Sequence, residues 1–96
     1  MARVEVLDPG DSIEFAIQLN DVWRDFRAGR VKLLVDLTQV DDLEELKKIV
    51  YECLPLVEKN DALRLVVLLT PERKARFMFK GIFFKEEDAL VALGYS

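Results

Sequence analysis

Residues 31–46, VKLLVDLTQVDDLEEL, decide the fold class. Val31, Leu33, Leu34, Val35 and Leu37 form a short aliphatic run with no polar alternation, the pattern of a strand covered on both faces. Asp36 interrupts the run near its C-terminal end. Asp41 and Asp42 then offer side-chain oxygens to the first free N–H groups of a helix. Each has a glutamate three residues on, Glu44 and Glu45, in capping-box spacing. A buried strand, a polar turn and a capped helix make one βα unit, and in open α/β sheets ligands and partners meet the protein beyond the carboxyl ends of the strands.

Outward from this unit the same alternation repeats. Residues 3–7 read as a short strand with Val4 and Val6 on one side and one face better covered than the other, ended by Asp8-Pro9-Gly10. Asp11 and Glu14 open a helix whose apolar side is Phe15, Ile17, Leu19, Val22, Trp23 and Phe26 and whose stop is Gly29. The helix after the central strand is predicted over 43–59, with a bend or early end at Pro55, followed by a turn at Asn60-Asp61. Residues 62–70, ALRLVVLLT, read as the second central strand. Thr70-Pro71-Glu72 has the composition of a helix start, with a hydroxyl cap and Pro at the first position, and predicts a short helix closing at Gly81. Residues 82–84 suit a brief last strand and 86–93 a final helix. The order β-α-β-α-β-α-β-α predicts a single small α/β domain over 1–96, with a mainly parallel or mixed sheet of about four strands and helices on both faces.

Composition narrows the function. The chain of 96 residues is 51% apolar and 33% charged, enough for a core and a solvated surface. A net charge of −4 argues against a general nucleic-acid binder, which needs cations to displace counterions from phosphates. No apolar run approaches the ~20 residues of a membrane span, and the lone Cys53 on an apolar helix face reads as a small buried hydrophobe suited to a reducing cytoplasm. There is no histidine, no GxGxxG and no GxxxxGK[ST], so triad chemistry and dinucleotide or NTP loops are excluded by inventory and no cofactor is expected.

Two clusters remain. Asp36, Asp41 and Asp42 are the only carboxylates close enough to consider for a divalent metal or, with Thr70, for a receiver-like phosphoacceptor pocket; turn and cap geometry explains the same residues without any ligand. Residues 77–84, FMFKGIFF, crowd Phe77, Phe79, Phe83 and Phe84 onto two short elements, which implies either core filling or a docking or homodimer surface. Arg73, Arg76 and Lys80 are predicted to share a helix face, with Lys74 and Lys85 nearby, either as a solvated face or as a site for an acidic partner or anion.

At DLTQVDDLEEL the chain resembles the STAS domains, the fold of bacterial anti-sigma factor antagonists and sulphate-transporter tails. Val31 through Val40 match the strand and the Asp-Leu-Ser-Gly-Val type sequence that ends it, and the resemblance in element order runs from about Val4 to Leu93. Asp41-Asp42-Leu43 stands where the family has Asp-Ser-Ser-Gly, Asp42 falls nearest the phosphorylatable serine, and the chain has one strand where the family has two before its first helix. The resemblance implies a non-enzymatic regulatory module without the serine switch. Its implied partner is a protein such as an anti-sigma-factor-like kinase, bound through Asp36, Thr38, Asp41, Asp42 and Glu45, with Phe77 and Phe79 as the adjoining apolar contacts.

Overall fold

The computed structural model describes residues 2–57 and 63–94. Strands Arg3–Leu7 (β1), Val31–Asp36 (β2), Leu65–Leu68 (β3) and Ile82–Phe83 (β4) form one sheet in the spatial order β1-β2-β3-β4. Every neighbouring pair is parallel, with Glu5 against Leu33, Leu34 against Val66 and Val67 against Ile82. Helices Ser12–Arg27 (α1), Leu43–Cys53 (α2) and Glu86–Ala92 (α3) follow β1, β2 and β4.

The strand order steps one way across the sheet, so right-handed crossovers place α1 and α2 on the same face. The main core lies there: Phe15 and Phe26 of α1 and Leu46, Ile49, Val50 and Cys53 of α2 pack on Val31, Leu33, Val35, Leu65 and Val67. α3 covers the opposite face with Ala89, joined by Leu93 just beyond its end, against Leu34, Val66 and Leu68. β2 and β3 are thereby enclosed from both sides, which is why their sequences are almost wholly aliphatic. β1 is covered on the α1 face, where Leu7 is buried, whereas Val6 on the other face is exposed.

Local signals set the helix ends. Asp11 caps α1 by accepting the Glu14 N–H at 2.8 Å. Gly29, at φ +77°, closes it in the left-handed conformation, its N–H donating to the Phe26 carbonyl. Ile17 does not join the apolar side: two residues after Phe15 it points about 200° around the helix and is exposed. α2 gives way at Cys53 to a single 3-10 turn, Leu54–Leu56, because Pro55 cannot donate into the α ladder. The predicted continuation of α2 to residue 59, the turn at 60–61 and the first residue of the second central strand lie outside the described residues.

The largest departure is between β3 and β4. A helix closing at Gly81 is predicted there, yet only a 3-10 turn, Pro71–Arg73, forms, followed by turns and irregular chain. The segment has no apolar residue from 72 to 74, and the helical stripe that Ala75, Met78, Phe79 and Ile82 could form leaves out Phe77, the residue that is buried here, so a helix on that stripe would turn Phe77 away from the core. Thr70 does not cap; its hydroxyl donates to Glu72 Oε1 at 3.1 Å. Gly81, at φ +88°, ends the segment against Val57, whose methyls would lie 2.9 Å from any Cβ there.

Candidate functional site

The turn from β2 to α2 is held at both ends by its own side chains. Asp36 Oδ1 accepts the backbone N–H of Thr38 at 3.0 Å and its hydroxyl at 2.6 Å. The Leu37 N–H extends the sheet ladder to the Leu68 carbonyl, and the Val40 N–H folds back to the Leu37 carbonyl. Leu37 and Val40 are both buried, so the polar residues of the turn ride on an apolar anchor. Asp42 is the N-cap of α2, its Oδ1 accepting from the N–H groups of Glu44 at 2.8 Å and Glu45 at 3.4 Å.

Asp41 does not share that role: α2 is capped by Asp42 alone, and the exposed Asp41 contributes its carbonyl, which accepts from Arg73 Nη2 at 3.2 Å. This contact joins the β2–α2 turn to the β3–β4 segment across the C-terminal edge of the sheet.

Glu45 leaves the capping box as well. Its Oε1 accepts both the backbone N–H of Ser12, at 2.9 Å, and the Ser12 hydroxyl, at 2.8 Å, while Lys48 Nζ donates to Oε2 at 3.0 Å. Ser12 is the first residue of α1, so a carboxylate from α2 satisfies a free N–H at the positive end of α1. The Ser12 backbone bond, the Lys48 bond and the Ser12 hydroxyl bond, in that order of size, hold the Glu45 carboxyl down at about 2. The same contact raises the Lys48 ammonium above its ordinary value.

Beyond β3 the aromatic cluster divides. Phe77 is a core residue, 2% exposed and packed with the α1/α2 side of the sheet. Its side chain is therefore inside the fold, whereas the sequence reading sets it beside Phe79 as an adjoining contact. Phe79 stays 44% exposed and Met78 66% exposed, whereas Phe83 and Phe84 are half-buried against the two cores. The five cations Arg73, Lys74, Arg76, Lys80 and Lys85 lie on this segment with Glu72 the single acid among residues 71–85, in a chain that is otherwise acidic. They do not form the helix face that their spacing predicts.

Asp36, Thr38, Asp41 and Asp42 are thus brought together on one turn, with Arg73 beside it; Glu45 is turned towards α1. Among the described residues no group of three or more Asp, Glu or Cys side chains is placed to hold a metal ion. Burial, with a smaller contribution from Glu52, pushes the Cys53 thiol up to about 12, so it is a packing residue and a poor nucleophile. A cleft of about 300 Å³ lies elsewhere, between α1 and α2, lined by Ala16, Leu19, Asn20, Trp23 and Glu52. No family model matches this chain, and no curated protein or solved structure matches it. No described helix is long and apolar enough to cross a membrane.

Sequence reasoning missed three features of the site. The Ser12–Glu45 contact spans 33 residues and leaves no periodic trace. The Arg73–Asp41 tie depends on how the β3–β4 segment folds. Met78 carried a signal, since it sits between two phenylalanines with Arg76 and Lys80 as flanks, the makeup of an exposed apolar tip with charged neighbours.

Proposed function

We propose that the chain is a non-enzymatic, STAS-like regulatory module that binds a protein partner at the C-terminal edge of its sheet, through the β2–α2 turn and the neighbouring β3–β4 segment. The observation that carries this reading is a rigid acidic turn tied by the Arg73–Asp41 hydrogen bond to a segment that also exposes Met78 and Phe79 further along. Large exposed apolar side chains with charged neighbours are the makeup of a protein interface. The carboxylates fit recognition better than chemistry: Asp36 and Asp42 already accept hydrogen bonds from their own turn and helix. In this reading Asp42 is a fixed charge where STAS antagonists place a switchable serine.

Two measurements test the proposal together. Thermal shift with Mg²⁺ and acetyl phosphate is expected to leave the Tm unchanged; a rise would show a native-state ligand and favour the phosphoacceptor alternative built on Asp36, Asp41 and Asp42. Affinity capture with the wild-type chain, repeated with Met78→Glu and with Asp41→Lys, is expected to lose the same captured protein in both variants. A partner retained equally by all three chains would refute the assigned surface.

A further inference from the structure

We propose that the free edge of β1 is a self-association site, where two copies of the chain pair antiparallel through residues 2–6 and join their sheets. Among the described residues, β1 is an edge strand bonded to β2 alone. The Arg3 N–H donates to the Arg30 carbonyl, so Arg3, Glu5 and Leu7 turn their backbone groups towards β2. By alternation, Val4 and Val6 turn theirs outward. The free edge ends at Asp8, whose N–H is taken by the Gln18 side chain of α1 at 3.0 Å. Side chains follow the same alternation: Val6 stands 56% exposed on the face of the sheet that carries α3.

An unpaired edge accepts any strand in principle, and charges on it normally discourage that. Here the charges are self-complementary. Two identical strands meeting across a two-fold axis must be antiparallel. An axis through Arg3 or Glu5 would set like charges directly opposite, which is unfavourable. An axis through Val6 would oppose Val4 to Asp8, whose N–H is already used. The axis through Val4 is left. In that register Val4 faces Val4, Ala2 faces Val6, and each of these pairs exchanges two backbone hydrogen bonds. Arg3 of each copy then faces Glu5 of the other. Within one copy these two side chains already meet, Arg3 Nε to Glu5 Oε1 at 2.9 Å, and both remain open to solvent. Pairing would therefore extend an existing ion pair into a four-membered ladder and shelter the two Val6 side chains against the partner's Ala2.

The register can be tested by charge exchange on the full chain. Sedimentation equilibrium at low salt is expected to show a monomer–dimer equilibrium for the wild type. Arg3→Glu and Glu5→Arg should each weaken it by tenfold or more, because each places like charges at both ends of the ladder. An equimolar mixture of the two variants should restore association as a heterodimer, visible by native mass spectrometry, since the all-acidic edge of one variant then faces the all-basic edge of the other at both positions. Val6→Pro serves as an independent variant: it deletes an outward N–H that makes no bond among the described residues, so dimerisation should fall while far-UV circular dichroism is kept. A wild type that stays monomeric at millimolar concentration overturns the proposal. So does a dimer indifferent to Val6→Pro, or variants that fail to recover on mixing. A dimer abolished only by Phe79→Glu would overturn it too, by placing the contact on the β3–β4 segment.

Discussion

Replacing Phe77 by Ala tests whether the β3–β4 segment is pinned to the core by one ring. Phe77 is 2% exposed and belongs to the main cluster beneath α1 and α2. Withdrawing a buried phenylalanine from apolar surroundings forfeits about 1.5–3 kcal/mol of transfer free energy. A residual void of about 60 Å³ would add ~1.4 kcal/mol at ~24 cal/mol per Å³. The sum, about 3–4.5 kcal/mol, falls in the range of about 3–5 kcal/mol seen for Phe→Ala in cores. Stability of about 0.05–0.15 kcal/mol per residue gives a chain of this length only about 5–14 kcal/mol in total, so Phe77→Ala should remove roughly a fifth of it or more. Urea unfolding followed by the fluorescence of Trp23, the single tryptophan, reads the loss directly. The Tm should fall by about 4–8 °C per kcal/mol. Phe79→Ala is the matched control: at 44% exposure it gives up far less burial. A Phe77→Ala loss of a few tenths of a kcal/mol, or losses equal at the two positions, would refute the division of this aromatic cluster into an anchor and a surface residue.

Other substitutions probe the sheet, the turn and the helix junction. Val67→Ala, at a fully buried position of β3, should cost about 1–3 kcal/mol in the same urea assay, as a large-to-small core change. Asp42→Ala should cost about 0.5–2 kcal/mol through loss of the α2 cap, while Asp42→Ser, which keeps a capping oxygen, should cost little; equal losses would show that charge, not capping, holds that helix end. Acid titration reads the α1–α2 junction. The folded Glu45 carboxyl is depressed from an ordinary 4.5 to about 2, so its stabilisation is complete above the ordinary value and is lost as pH falls from about 4.5 towards 2. Between those limits the wild-type Tm should fall more steeply than that of Glu45→Gln, which cannot titrate; parallel curves would refute a depressed Glu45.

The fold was legible where burial is two-sided and local. Val31, Leu33 and Val35, and Leu65 and Val67, belong to aliphatic runs because β2 and β3 have neighbours on both sides and helices on both faces. Caps at Asp11 and Asp42 and the stop at Gly29 were legible for a similar reason: each acts within three or four residues of itself. The β3–β4 segment defeated the same reasoning. Thr70-Pro71-Glu72 has the composition of a helix start, but a start signal fixes only the first turn, residues 72–74 add no apolar contact to hold it, and the residue that is buried, Phe77, lies off the stripe of Ala75, Met78 and Phe79. What the chain does there depends on the space that Phe77 fills, and that space exists only after α2 and β3 have packed.

The candidate site was half legible for a related reason. Asp36, Thr38 and Asp42 take partners within three residues, and their roles follow from spacing alone. Asp41 and Glu45, equally placed for capping by spacing, are claimed by groups about thirty residues away, Arg73 and Ser12. Two carboxylates in tandem cannot both sit at one N-cap, because the residue before the cap has its backbone turned away from the helix; Asp42 takes the position and Asp41 is left to the loop beyond β3. Glu45, one turn into α2, lies on the side of that helix facing α1, and the donor it meets there is the first N–H of α1. Its carboxylate thus bonds a backbone donor on another helix, where capping-box spacing pointed it back to its own, and proximity between α1 and α2 decides the outcome. A residue's type and spacing therefore state what it can bond, while the packing of neighbouring elements selects which bond it makes. That selection is what leaves Asp41 and Arg73 together at the sheet's edge, although 32 residues separate them in the chain.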